Sequence, residues 1–147
     1  MKIFIATDHR GINRQNEIID YLKEKKIEVV ECKIPHSDTD DYVDFALDVA
    51  NNVSKDNNSF GILICGTGIG MSIAANKVLN IRASRCVSEE DAYLTRTDNN
   101  ANVLCIGHNL SLDVTKKIID KFINTPFSKE ERHIRRVNKI TQYENGR

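Results

Sequence analysis

Residues 61–75 read Gly-Ile-Leu-Ile-Cys-Gly-Thr-Gly-Ile-Gly-Met-Ser-Ile-Ala-Ala, and this stretch decides the fold class. Its first five residues are apolar nearly throughout, as expected for a strand that is covered on both faces of a parallel sheet. Three glycines at alternating positions follow, and then comes a run of small apolar residues that suits a helix. A strand that turns into a helix through glycines indicates an α/β fold in which the turn faces a ligand.

Four more runs of strand length lie on either side of this stretch. Together with Gly61–Cys65 they give five predicted strands, the others being Lys2–Thr7, Glu28–Cys32, Arg82–Cys86 and Val103–Gly107. The first, third and fifth are apolar nearly throughout, as expected for strands that are covered on both faces of the sheet. The run from 82 to 86 contains two arginines and is the weakest of the five strand predictions.

The segments between these runs have the periodicity of amphipathic helices. In residues 42–53 the apolar side chains fall at i, i+3, i+4, i+7 and i+10, residues 113–123 repeat the pattern, and Ile18, Ile19 and Leu22 mark a first helix. Alternating strands and helices predict parallel strands joined by right-handed crossovers. We therefore expect a doubly wound α/β fold of the Rossmann-like or flavodoxin-like kind. It is a three-layer α/β/α sandwich with a five-stranded parallel sheet, and residues 1–147 form one domain.

The composition gives no indication that the protein binds nucleic acid or a membrane. The 147 residues include 21 basic and 21 acidic side chains, so the net charge is zero, and nothing in the chain-wide charge would attract nucleic acid or a membrane. The apolar run at the N-terminus is too short for a signal peptide, and no run is long enough for a membrane helix. We expect a soluble, cytoplasmic protein. Its four cysteines form no C-x-x-C pair, which favours free thiols over two disulfides.

A basic segment follows Pro126. Ser128 and Glu131 have the spacing of a capping box, which predicts a final helix from about residue 128. Residues 129–139 contain five basic and two acidic side chains, a local net charge of +3. On composition alone, a solvated helix face explains this charge more simply than an anion-binding surface does.

The chemistry is expected at the carboxyl ends of the first and third strands. The first strand ends in Thr7-Asp8-His9-Arg10-Gly11, and the third ends in Cys65 and the glycine loop. That loop has neither the G-x-G-x-x-G spacing of a dinucleotide site nor a Walker lysine, so its amides are expected to face some other anion. A cysteine beside such amides is expected to have its thiolate favoured and to serve as a base or nucleophile. A plain glycine turn and a buried strand-end cysteine are the simpler alternatives.

Taken together, these residues suit a small phosphorylated substrate that has an acidic carbon. Cys65 supplies a base, the loop stabilises a negative charge, and His9 supplies an imidazole if the first and third strands are adjacent. Arginines bind phosphate oxygens through charge-assisted, bidentate hydrogen bonds. The C-terminal segment offers Arg132, His133, Arg135 and Arg136 for that purpose.

The motifs resemble those of the ribose-5-phosphate isomerase B / galactose-6-phosphate isomerase family. The resemblance rests on Asp8-His9-x-Gly11, Asp41-Tyr42, the run from Gly61 to Lys77, Ile81-Arg82-Ala83, Asn102-Val103-Leu104 and Arg132-His133-x-x-Arg136-Val137. It extends in order from about residue 2 to 140. It implies aldose–ketose isomerisation of a phosphorylated monosaccharide without metal or other cofactor. It also implies a homodimer or dimer of dimers with the active site at the subunit interface, and a place in the pentose phosphate pathway.

The same resemblance implies a role for individual residues. Cys65 would move a proton between C1 and C2 through a cis-enediolate, and the loop amides of Gly66, Gly68, Ile69 and Gly70 would stabilise that enediolate. Thr67 would assist in proton handling, and Asp98 stands where the family has a ring-opening histidine. The implied substrate-binding residues are Asp8, His9, Tyr42, Asn99, Arg132 and Arg136, with Asp98 and Asn99 supplied by the partner subunit.

Three positions depart from the family pattern. Asp98 replaces a histidine, Asn109 replaces an arginine of the phosphate clamp, and Arg10 is bulkier than the usual residue. His108, Arg135 or Arg10 would compensate for Asn109. The departures leave two alternatives to a ribose 5-phosphate isomerase. One is a galactose-6-phosphate or allose-6-phosphate isomerase, alone or in a hetero-oligomer, and the other is a non-catalytic sugar-phosphate-binding subunit.

Overall fold

The computed structural model describes residues 1–146, in which five strands form one parallel sheet. The strands are β1 (Lys2–Thr7), β2 (Glu28–Glu31), β3 (Ser59–Cys65), β4 (Ala83–Arg85) and β5 (Val103–Gly107). Their order across the sheet is β2-β1-β3-β5-β4. The three-layer α/β/α sandwich with a five-stranded parallel sheet is thus confirmed. The bounds of β1 and β5 are as predicted, whereas β3 begins two residues earlier and β2 and β4 are shorter.

Strand order follows burial. β5 is buried along its whole length and lies between β3 and β4, while the arginine-containing β4 takes an edge. An edge strand keeps one side open to solvent, which suits a strand whose side chains are partly charged. β1 has β2 on one side and β3 on the other, so the order of the strands reverses between β1 and β3. Ligands of open parallel sheets bind beyond the carboxyl ends of the strands at such a reversal.

Six helices connect and follow the strands. They are α1 (Ile12–Glu24), α2 (Tyr42–Val53), α3 (Ile69–Ala75), α4 (Glu89–Thr97), α5 (Leu112–Asn124) and α6 (Glu131–Asn145). The predicted bounds of α2 are confirmed. The predictions described no helix at α4, although the Ser88 hydroxyl accepts a hydrogen bond from the Asp91 amide and caps it. None of the helices within residues 1–146 is long and apolar enough to cross a membrane.

The two faces of the sheet carry separate cores. On one face, α1, α4 and α5 pack through Leu22, Ala92 and Phe122 against the side chains of the central strands. On the other face, α2 and α3 pack through Phe45 and Met71, and this second core reaches Cys65 at the end of β3. Burial of a large apolar side chain contributes about 1.5–3 kcal/mol. Both cores therefore hold the end of β3 in place.

The start of α6 differs from the sequence prediction. Glu130, not Ser128, is the residue before the helix, and the predicted capping box between Ser128 and Glu131 does not form. Lys129 has a positive φ of 57°, which turns the chain between Ser128 and the helix. The Ser128 hydroxyl instead lies 2.9 Å from Nδ1 of His133. The helix is anchored through His133, which is buried.

Candidate active site

A cavity of about 310 Å³ lies at the carboxyl ends of β1 and β3. Its lining consists of the two strand-end loops and the start of α2, namely Asp8, His9, Arg10, Asp40, Tyr42, Cys65, Gly66, Thr67 and Gly70. The expected adjacency of the first and third strands is confirmed by the pairing of Thr7 with Ile64. A thiol, an imidazole, a guanidinium and carboxylates thus converge on one small cavity.

Cys65 is buried and oriented by the glycine loop. The Gly68 amide donates a hydrogen bond to its Sγ, at 3.1 Å. Gly68 makes this possible with a φ of 79°, a left-handed conformation that glycine adopts without strain. A Cβ at this position would also lie 3.0–3.1 Å from the backbone of Ile106. The turn therefore directs an amide at the sulfur and leaves Cys65 in contact with the cavity.

The loop amides divide between two tasks. The Gly68 amide is engaged with Cys65, and the Ile69 amide donates to Oγ1 of Thr67 at 3.2 Å. Gly70 lies in the first turn of α3, where amides have no partner within the helix. Two loop amides therefore hold Cys65 and Thr67, whereas Gly66 and Gly70 line the cavity. The sequence did not distinguish these two groups.

Tyr42 forms one wall of the cavity by lying over Gly70. A Cβ on Gly70 would meet the Tyr42 ring at 2.6 Å, so only glycine lets the ring approach this closely. Tyr42 is the first residue of α2 and remains exposed on its other side. The phenol is therefore available to a ligand that enters between the two loops.

Arg10 and Asp8 flank the loop at the end of β1. The Arg10 guanidinium lies near Gly66, where an added Cβ would be 3.1 Å from its Nη1. Asp8 is buried, and its Oδ1 accepts the Arg10 amide at 3.0 Å. Of the three residues expected to compensate for Asn109, Arg10 lines the cavity, whereas His108 and Arg135 do not.

Asp40 is a site residue that the sequence predictions missed. Its carboxylate accepts the His9 amide and faces Nδ1 of the His9 ring at 2.7 Å and Nδ1 of His36 at 2.9 Å. Burial would raise the pKa of the Asp40 carboxyl. The hydrogen bonds from the two rings and from the His9 and Ser37 amides outweigh it and hold that pKa well below its usual range. The sequence signal was an aspartate four residues after a histidine in the polar segment that follows β2.

Gly68 and Ile69 belong to the loop but do not line the cavity, and four further predicted site residues lie on other elements. Asp98 and Asn99 follow α4, and Arg132 and Arg136 lie exposed on α6. Asp98 accepts a hydrogen bond from the Thr97 hydroxyl at 2.9 Å, and its Oδ1 lies 3.8 Å from His133 Nδ1. Arg132 pairs with Glu130 at 3.0 Å. One chain therefore assembles Cys65, Thr67, Asp8, His9 and Tyr42, but not these four residues.

A larger cavity of about 420 Å³ lies beside α6, between the helix and the β4 edge of the sheet. Its lining includes Asn99, Ile140 and Tyr143 but contains no thiol or imidazole. Volume alone favours this cavity, whereas convergent reactive groups favour the smaller one. Within residues 1–146, no three or more His, Cys, Asp or Glu side chains form a group that suits a metal ion.

Comparison with known proteins supplies the family. A family model described as Ribose/Galactose Isomerase matches residues 3–140. The probable ribose-5-phosphate isomerase B of Mycoplasma genitalium is 45% identical over 145 residues, which cover 97% of this chain and 95% of that protein. The ribose-5-phosphate isomerase B of Mycobacterium tuberculosis is 36% identical over 146 residues, which cover 98% and 90% of the two chains.

Solved structures agree over the whole fold. The ribose-5-phosphate isomerase B of Mycoplasma genitalium with bound ribulose-5-phosphate matches with a TM-score of 0.93 and 42% identity, covering 99% of this chain and 97% of that one. The corresponding protein of Clostridium thermocellum matches with a TM-score of 0.93 and 41% identity, covering 99% of both chains.

Proposed function

The chain belongs to the Ribose/Galactose Isomerase family, and from that membership we propose that it interconverts ribose 5-phosphate and ribulose 5-phosphate. The observation that carries the proposal is the cavity at β1 and β3, which Cys65, His9 and Arg10 line together and in which Cys65 Sγ accepts a hydrogen bond from the Gly68 amide. A base, a set of loop amides and cationic groups in one cavity are what this proton transfer requires.

Cys65 is the proposed base. Its thiolate removes the proton from C2 of the open-chain aldose, and the thiol returns it to C1 to give the ketose. The cis-enediolate that forms between these steps carries negative charge on its oxygens, which the unengaged amides of the Gly66–Gly70 loop stabilise. Thr67 moves the hydroxyl proton between O1 and O2. The proton is returned in each cycle, so the protein is neither oxidised nor reduced.

The remaining residues bind the substrate. Asp8 and Tyr42 contact the sugar hydroxyls, and His9 with Arg10 takes the phosphate from one side of the cavity. Arg132 and Arg136 of a second subunit complete the phosphate site. That subunit's Asp98 acts in ring opening, and its Asn99 binds the substrate. This arrangement requires a homodimer or a dimer of dimers. The shared site is supported by exposure of these residues. Arg132, Arg136 and Asn99 are exposed, and the Asp98 side chain is 41% exposed.

A cytoplasmic location is part of the proposal, because a reducing compartment keeps Cys65 as a free thiol. All four cysteines are free in the structure. The phosphorylated sugar that binds one relative, ribulose-5-phosphate, is accordingly the proposed product for this chain.

The test is conversion of ribose 5-phosphate to ribulose 5-phosphate by the purified chain, with galactose 6-phosphate and allose 6-phosphate as parallel substrates. We expect the five-carbon substrate to have the higher kcat/KM. Faster turnover of a six-carbon phosphate would reassign the substrate. Binding of ribose 5-phosphate without turnover at high enzyme concentration would reduce the protein to a sugar-phosphate-binding subunit.

A further inference from the structure

The segment between β2 and α2 brings one carboxylate against two histidines. The Asp40 side chain is only 8% exposed and has four hydrogen-bonding partners. They are the His9 amide at 2.9 Å, the His9 ring at 2.7 Å, the His36 ring at 2.9 Å and the Ser37 amide at 3.3 Å. Two of these contacts reach across 31 residues of sequence to the end of β1. A turn formed by residues 36–40 alone would not include these contacts with His9.

The contacts determine how His9 faces the cavity. The backbone amide and Nδ1 of His9 both meet the same oxygen, Oδ1 of Asp40, so the main chain and the ring are held together. An ionised carboxylate accepts hydrogen bonds but cannot donate them, and Nδ1 of His9 therefore carries a proton. Nε2 is then the ring nitrogen left for a ligand. In the doubly protonated ring, Nε2 donates to an anion on the side away from Asp40.

The other oxygen of Asp40 connects this arrangement to the core. His36 faces Oδ2 and stacks on Phe45, with ring centroids 4.9 Å apart and an angle of 16° between the rings. Phe45 is 1% exposed and belongs to the core beneath α2. The His36 ring, which packs on the core, thus holds one oxygen of Asp40. The other oxygen of Asp40 holds the ring of His9, which lines the cavity. Histidines that ligate metal ions are commonly oriented in the same way, through a carboxylate on the other ring nitrogen.

We propose that Asp40 is a positioning residue, which holds the His9 ring with Nε2 directed at the phosphate of the substrate. The inference rests on the proposed function, because it takes His9 as a phosphate ligand. Asp40 acts through His9 and contributes no proton to the isomerisation. Its loss should therefore weaken binding of substrate and transition state equally, which raises KM and leaves kcat unchanged.

The test is a double-mutant cycle of His9→Asn, Asp40→Ala and the double variant, read by calorimetric titration with inorganic phosphate and by kinetics with ribose 5-phosphate. We expect Asp40→Ala to weaken phosphate binding about 10-fold to 100-fold, the range of a hydrogen bond to a charged group. KM should rise by a similar factor while kcat stays within about threefold. The double variant should bind no more weakly than His9→Asn alone, because the two residues act as one unit.

Two further variants keep the result interpretable. Asp40→Asn retains an oxygen for the His9 amide and is expected to lie between wild type and Asp40→Ala. Asp38→Asn removes an exposed carboxylate from the same segment and should leave phosphate affinity and KM unchanged. Thermal unfolding of each variant identifies any that do not fold, and Asp40→Asn then takes the place of Asp40→Ala in the cycle.

The outcomes separate the inference from the proposed function. Additive losses in the cycle, unchanged phosphate affinity in both Asp40 variants, or a wild-type chain that does not bind phosphate would overturn the role of Asp40. A fall in kcat at constant KM would do the same. A wild-type chain that binds phosphate but does not isomerise ribose 5-phosphate would overturn the proposed function, and the calorimetric cycle would still decide for or against Asp40.

Discussion

The two groups of proposed site residues differ in how firmly the fold holds them. The cavity at the ends of β1 and β3 rests on both cores of the sheet, and hydrogen bonds fix Cys65, Asp8 and His9 within it. The surface at the end of α4 and on α6 is open. The Asp98 side chain is 41% exposed, and only His133, Val137 and Glu144 of α6 are buried.

One chain therefore supplies only part of the residues that the proposed activity needs. Buried strands and hydrogen bonds place Cys65, the proposed base, and its loop, so the cavity at β1 and β3 is assembled within one chain. α6 instead exposes Ile134, Ile140 and Tyr143 together with its arginines. Exposed apolar side chains next to arginines are typical of the surface of a subunit interface. We call the ordered cavity the β1/β3 half and the exposed surface at the end of α4 and on α6 the α4/α6 half.

The largest effect is expected from Cys65→Ala in the β1/β3 half. Loss of the base should lower kcat by about 10²–10⁴-fold, the range for a general acid–base group. The measurement is steady-state conversion of ribose 5-phosphate. Cys32→Ala is the matched control, because Cys32 is half-buried outside the cavity and should leave kcat within about twofold. An active Cys65→Ala enzyme would remove the proposed mechanism.

The next effect tests whether the two halves come from different subunits. Cys65→Ala and Asp98→Ala chains are purified separately, unfolded together and refolded as a mixture. In a symmetric dimer with shared sites, each mixed dimer has one site without either substitution, so the mixture should regain about a quarter of wild-type activity. Each variant refolded alone serves as the control. If the mixture is no more active than the sum of its parts, each site lies within one chain.

The sequence predicted the β1/β3 half better than the α4/α6 half for a physical reason. Apolar runs and helical periods are local, and so β1, α2 and β5 were found with their bounds. The glycine turn after Cys65 is local too. The insertion of β5 between β3 and β4 depends on competition among strands for burial, which no single segment encodes.

Long-range polar contacts were also beyond the sequence patterns. Asp40 meets His9 across 31 residues, and nothing in either segment alone indicates the pairing. The capping box at Ser128 failed because Lys129 turns the chain and His133 takes the hydroxyl. Aspartate and serine side chains can form several different hydrogen bonds with nearby groups, and the sequence alone does not show which of them forms in the folded chain.

A smaller effect is expected from Gly70→Ala, which tests how tightly the β1/β3 half is packed. The added methyl would meet the Tyr42 ring at 2.6 Å and push it from the cavity wall. Tyr42 is half-exposed and has room to swing, so stability should change little, whereas kcat/KM should fall about tenfold. Gly146→Ala is the control, because a Cβ there meets its nearest atom at 3.6 Å. Unchanged kcat/KM would show that Tyr42 does not contact the sugar.

Thiol labelling of the unmodified chain distinguishes Cys65 from the other three cysteines. Burial raises the pKa of the Cys86 thiol to about 11 and that of the Cys105 thiol well above its ordinary value, and burial also raises the pKa of Cys32 to about 11. The thiolate is the reactive form, so these three should react slowly with iodoacetamide at pH 7.5. Cys65 should be labelled first, as read by peptide mass spectrometry, and ribose 5-phosphate should protect it. Faster labelling at Cys32 would contradict the assignment.

The smallest effect is a difference between the two histidine–carboxylate pairs, His9–Asp40 and His133–Asp98. Because the pKa of Asp40 is lower in the folded chain than in the unfolded one, its ionised form stabilises the fold above the unfolded value of about 4. That stabilisation is lost as the pH falls through the lower, folded value. The free energy of unfolding lost in Asp40→Asn should therefore be constant from about pH 6 to 5 and shrink toward pH 2. Asp98→Asn should cost less than about 1 kcal/mol, because the Asp98 carboxylate is 41% exposed and lies 3.8 Å from His133. Urea titrations across this pH range measure the loss of unfolding free energy in both variants. Protonation removes the charge on Asp40 that the hydrogen bonds stabilise, so a loss in Asp40→Asn that grows as the pH falls would contradict the prediction.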